Sequence, residues 1–83
     1  MTSDAIFAEV VDIIKPFAKN KDALTQVGPD TKILDDLKVN SARLVDIILE
    51  LESKFDIQLG DEDADTVRTV GDAVKVIAAK MAG

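Results

Sequence analysis

The chain has 83 residues, 47% of them apolar, a net charge of −6, and no cysteine, histidine, tryptophan or tyrosine. That composition excludes disulfides, zinc–thiolate centres and histidine-based catalysis, and it leaves a modest aliphatic core to support one domain over residues 1–83. The charge argues against nucleic acid, no apolar run approaches the roughly 20 residues of a membrane span, and Asp4 stands where a signal peptide would be basic, so a cytoplasmic protein without membrane insertion is expected.

Taken in chain order, the first predicted element is a helix. Thr2 or Ser3 can cap it, and Phe7, Val10, Val11 and Ile14 follow the i, i+3, i+4, i+7 spacing of one apolar face. Pro16 ends or bends it, because proline disfavours the helical conformation at the residue before it. A connection of about twenty residues follows, with a turn at Gly28-Pro29 and with Leu24, Val27, Ile33 and Leu37 spaced to pin it onto the helices. So long a loop in so short a chain argues either against the element assignment or for function.

The second helix is predicted from Ser41 to Lys54, with Asn40 placed to cap it. Leu44, Ile47, Ile48, Leu51 and Phe55 form its apolar stripe; Arg43, Asp46, Glu50, Ser53 and Lys54 face away. Leu49 falls on the border of the polar arc, outside the stripe. The segment "GDEDADTV" reads as an acidic loop with one helical turn. The last helix starts at Thr69 as N-cap with Asp72 three residues on, an acidic variant of the capping box, and buries Val70, Ala73, Val74, Ile77 and Met81. The predicted fold is all-α: a small four-helix bundle, three main helices and one short one, with the long loop between the first two.

Charge is unevenly placed. Residues 46–65 hold eight acids against the single base Lys54, a density that suits either a solvated face or the steering of basic partners. Asp61, Asp63 and Asp65 match the first ligand positions of an EF-hand loop, but Thr66 stands where its sharp turn needs glycine, and Asp72 is short for the closing bidentate glutamate. No specific metal site is therefore expected. Ser41 has no histidine to activate it and no Gly-x-Ser-x-Gly elbow around it, so as a nucleophile of its own enzyme it fails; as a substrate of another enzyme it does not.

From residue 35 the chain runs "DDLKVNSARLVDIILELESKFDIQLGDEDADTVRTVGDAVKVI", and this stretch resembles the acyl carrier protein family. The match lies in Asp36-Leu37, Ser41, Val45-Asp46-Ile47-Ile48, Leu51-Glu52, Phe55-Asp56, Leu59, Asp61-Glu62, Ala64, Val67 and Thr69-Val70, without a gap. The helix–long loop–helix–short helix–helix plan extends the match to the whole chain. The resemblance implies a monomeric, non-catalytic carrier with 4'-phosphopantetheine attached to Ser41 by a phosphopantetheinyl transferase. It also implies acyl cargo held as a thioester, and loading and transferring enzymes with basic patches.

By the same resemblance, Asn40, Ala42, Arg43, Asp46, Leu49, Glu52, Asp61 and Glu62 meet partners, and Leu44, Ile48, Leu51, Leu59 and Val67 line an acyl-chain pocket. The chain departs from the family pattern at Lys38, Asn40, Ala42, Arg43 and Gly60, where glycine, aspartate, leucine, another acid and proline are usual. Those departures imply a specialised carrier serving lipid, fatty-acid or polyketide-type synthesis by dedicated enzymes. A peptidyl or aminoacyl carrier and an unmodified helical interaction domain are the alternatives.

Overall fold

The computed structural model describes residues 2–82, and five helices account for most of them. Helix α1 (Ser3–Ile14) is capped by Thr2, whose Oγ1 accepts the Ala5 N–H at 3.2 Å, so Ser3 becomes the first helical residue. It buries Ile6, Val10, Val11 and Ile14; Phe7 is only half-buried, and Ile6, four residues before Val10, takes the core position. Pro16 ends the helix in a 3-10 turn (Lys15–Phe17), after which the Ala18 N–H returns to the Ile14 carbonyl at 3.1 Å.

The long connection is more ordered than a loop reading suggests. It contains a single-turn helix, α2 (Lys21–Leu24), whose cap Asn20 accepts the Ala23 N–H at 3.3 Å. Ile33 and Leu37 are pinned in the core as expected, joined by Ala18 and Val39, whereas Leu24 and Val27 are only half-buried. The connection also pairs with the segment before the last helix. Ile33 donates to the Arg68 carbonyl at 3.0 Å, Val70 to Thr31 at 3.0 Å and Gly71 to Pro29 at 2.9 Å, around an isolated antiparallel bridge between Lys32 and Thr69.

Helix α3 (Ser41–Phe55) runs one residue beyond its predicted end. Ile47, Ile48 and Leu51 are buried, while Leu44 and Phe55 pack at the margin. It stops at Asp56, which adopts a left-handed conformation (φ 53°) and returns its N–H to the Glu52 carbonyl. The acidic segment forms the expected short helix, α4 (Asp61–Thr66), a little longer than the single turn read there. Its start is braced by the Asp63 carboxylate, which accepts the Gly60 N–H at 3.1 Å and pairs with Lys80 at 3.1 Å.

Helix α5 (Val70–Ala82) begins with the expected capping box. Thr69 Oγ1 accepts the Asp72 N–H at 3.1 Å, and the Asp72 carboxylate accepts the Thr69 N–H at 3.1 Å and the Arg68 N–H at 3.2 Å. Val70, Ala73 and Ile77 are buried and Val74 is half-buried, but Met81 is 40% exposed because the helix has by then run past the core. α1 packs chiefly on α5 and also on α3, and the buried residues form one aliphatic cluster with no polar side chain among those described. The all-α bundle with one short helix beside three long ones is therefore the observed fold; the added turn α2 lies within the long connection.

Candidate attachment site and cleft

Ser41 is placed by the residues just before it. Val39 is buried, and its N–H donates to the Ile33 carbonyl at 3.3 Å, anchoring the chain two residues before the serine. Asn40 caps α3 with its side-chain oxygen on the Ala42 N–H at 2.9 Å, which relieves Ser41 of the capping role. Ser41 is thus the first residue of a 15-residue helix, exposed, with its hydroxyl unengaged by any described residue. First-turn amides and the helix dipole favour negative charge at such a position.

Ser41 also stands at the edge of a cleft of about 360 Å³ between α3 and α4. Leu44, Ile48 and Leu59, three of the expected pocket residues, line it. Leu51 and Val67 do not: they are 1% and 5% exposed, packed in the core cluster. Their place on the cleft wall is taken by Val45, Leu49 and Ala64. Val45 and Leu49 are 62% and 57% exposed, one turn apart on α3, so they form an apolar step between cleft and solvent. The i, i+4 spacing of two large apolar residues outside the core stripe was the signal for the missed Val45.

The expected partner-facing residues fall into different situations. Asn40, Ala42, Arg43, Asp61 and Glu62 are exposed, and Asp61 lies on the cleft rim with Asp65. Asp46 is paired with Arg43 at 3.1 Å, so part of its charge is answered within the molecule. Glu52 is half-buried and accepts the Leu59 N–H at 2.9 Å, so it fastens the α3–α4 connection as well as contributing charge to the rim.

Two carboxylates of the EF-hand-like pattern are committed elsewhere. Asp63 is held below the ordinary aspartate range, first by its hydrogen bond from Lys80 and then by the Gly60 N–H. Asp72 is likewise lowered, chiefly by the Thr69 N–H, with burial acting in the opposite sense and the Arg68 N–H adding to the lowering. No group of three or more potential ligands converges on a point among the described residues.

A family model described as the phosphopantetheine attachment site matches residues 5–77. This chain belongs to the acyl carrier protein family. It is 42% identical to the acyl carrier protein of Chlorobium phaeobacteroides over 81 residues, covering 96% of this chain and all of the other. Its identity to the Lactobacillus acidophilus acyl carrier protein is 37%, covering 93% and 94% of the two chains. The solved structure of the acyl carrier protein from Enterococcus faecalis superposes with a TM-score of 0.78 at 34% identity, covering 96% of this chain and 99% of that one. An acyl carrier protein is a non-catalytic carrier, and the family's prosthetic group is 4'-phosphopantetheine.

The residues present fit that group: an exposed, unengaged serine hydroxyl stands at a helix N-terminus and opens onto an apolar cleft. No described helix is long and apolar enough to cross a membrane.

Proposed function

We propose that Ser41 bears the 4'-phosphopantetheine arm and that the chain, as a single monomeric carrier domain, presents acyl thioesters to enzymes of lipid, fatty-acid or polyketide-type synthesis. The observation that carries this reading is the exposed Ser41 hydroxyl at the mouth of an apolar cleft. In the loading step the Ser41 oxygen forms a bond to the pantetheine-side phosphorus of coenzyme A. The pyrophosphate bond breaks, 3',5'-ADP departs, and the hydroxyl proton goes to a base of the phosphopantetheinyl transferase. The bound arm supplies a terminal thiol, which is how a chain without cysteine takes part in thioester chemistry.

The chain's own residues contribute placement and shelter. Asn40 and Val39 fix the serine, and the N-terminal amides and dipole of α3 would favour the negative charge of an arm attached there. Leu44, Ile48, Leu59 and Ala64 offer apolar surface to a hydrocarbon tail, each buried methylene contributing about 0.8 kcal/mol at most. That apolar lining favours acyl over aminoacyl or peptidyl cargo, whose polar groups would lack partners there. The departures from the family pattern around the serine, Asn40, Ala42 and Arg43, support a carrier served by dedicated enzymes.

Incubation with coenzyme A and a broad-specificity transferase is expected to add the mass of one arm, and Ser41→Ala to abolish the gain. Modification at Ser3 or Ser53, or persisting in Ser41→Ala, contradicts the assignment.

A further inference from the structure

A second hollow, of about 630 Å³, opens beside Asn40 and Arg43, next to Ser41 in the chain but separate from the α3–α4 cleft. Pro16 and Phe17 of the 3-10 turn form its apolar side, and Lys19, Lys21 and Arg43 supply its charge. No carboxylate lines it among the described residues. Its basic rim stands on fixed backbone: Lys19 donates its N–H to the Lys38 carbonyl at 3.4 Å and Asn20 donates to Leu37 at 3.1 Å. The Asn20 side-chain amide reaches the Asp36 carbonyl at 3.0 Å, and the Lys21 ammonium rests on the Lys15 carbonyl at 2.7 Å.

Lys19 and Lys21 form no ion pair among the described residues. Arg43 uses one terminal nitrogen for Asp46 at 3.1 Å, which leaves other guanidinium N–H groups free.

The first turn of α3 is therefore flanked by surfaces of opposite sign. Glu52, Asp61 and Asp65 edge the cleft, while three cations edge the hollow. A partner that reaches the base of an arm on Ser41 covers the first turn of α3 and lies against both. A uniformly basic partner face is matched at the cleft and opposed at the hollow, whereas a face with carboxylates over the hollow is matched at both. We propose that the hollow formed by Lys19, Lys21 and Arg43 docks a carboxylate-bearing loop of the enzymes that act on this carrier. This rests on Ser41 as the attachment point.

Peptide titration tests it. The 15N-labelled full chain is titrated at low salt with hexaglutamate blocked at both ends. Amide shifts confined to residues 17–21 and 40–43 are expected, with binding weakened about tenfold or more by Lys19→Glu with Lys21→Glu, as loss of two facing charge pairs requires. Circular dichroism checks that the doubly reversed chain is folded; if it is not, Lys19→Gln with Lys21→Gln is expected to show a smaller loss in the same direction. Shifts that are absent, or spread equally over Lys32, Arg68 and Lys75, overturn the proposal. Inorganic pyrophosphate binding the hollow as tightly as the peptide also overturns it, in favour of a small-anion site. Transferase loading of the unaltered chain is read separately by mass, so a failure of the Ser41 assignment is distinguishable from a failure of the docking surface.

Discussion

Lys38 adopts φ 57°, a left-handed conformation that costs an L-residue roughly 1–2 kcal/mol, three residues before Ser41. The family commonly has glycine there, and the backbone shows why. Lys38→Gly removes that cost but adds backbone freedom to the unfolded chain, worth about 0.4–1 kcal/mol in the other direction. A net stabilisation of about 0.5 kcal/mol is expected from urea denaturation; a loss of more than that would show that the lysine side chain repays the strain. Arg43 departs from the family pattern differently. It adds positive charge and also neutralises Asp46. Arg43→Asp is expected to speed loading by a general-purpose transferase with a basic face several-fold at low salt, with the gain shrinking as salt rises. Equal loading rates at low salt would remove Arg43 as a discriminating residue. Both departures were visible in the sequence; the dihedral angle and the ion pair that give them meaning were not.

Elements with a repeating apolar stripe were legible, because spacing alone states which face is buried. α3 and the capping box of α5 follow from Leu44, Ile47, Ile48, Leu51 and from Thr69 with Asp72. α2 was not legible, since four residues are too few to establish a period. Nor was the pairing of the long connection with the start of α5, which joins segments some forty residues apart. The family resemblance placed Leu51 and Val67 on the cleft, but an apolar residue at a matching position can face the core as readily as a cavity, and these two face the core.

Two substitutions probe these elements. Gly71 lies so close to the connection that an added Cβ would come 2.7 Å from the Pro29 carbonyl oxygen. Gly71→Ala is therefore expected to destabilise the fold by about 1–3 kcal/mol, through displacement of backbone in the connection. Thr69→Ala removes the cap of α5 and is expected to cost about 1 kcal/mol; thermal melts give both values, and unchanged stability in either would contradict the corresponding contact. α4, short and free of buried residues, is expected to exchange its amide hydrogens faster than α3 and to slow when a medium-length acyl chain is loaded. Exchange already slow, and unchanged by acylation, would show that α4 is no gate.

Across the whole molecule, a net charge of −6 opposes a small core, with eight carboxylates between residues 46 and 65. Added salt is expected to raise the Tm by screening, whatever the cation; a rise specific to calcium would instead indicate a defined site. Acid also releases two aspartates from hydrogen bonds that hold them ionised. Asp63 and Asp72 have folded-state values below their unfolded ones, so the stability they contribute is fully present above the unfolded aspartate range, near pH 4, and is lost as pH falls through the depressed folded values. The stability difference between the unaltered chain and Asp72→Asn, from urea denaturation, is thus expected to stay level above about pH 5 and to shrink below about pH 4. A difference that grew on acidification would reverse the sign of the cap's contribution.

Residue, element and whole molecule meet at the cleft that opens beside Ser41. A terminally 13C-labelled octanoyl group, loaded onto the phosphopantetheine arm, reports its surroundings through nuclear Overhauser contacts. Cross-peaks from its methyl group to Leu44, Ile48, Leu59 and Ala64 are the expected result. A methyl resonance at its free-solution position, with no contact to those four residues in a fully loaded sample, would contradict the account.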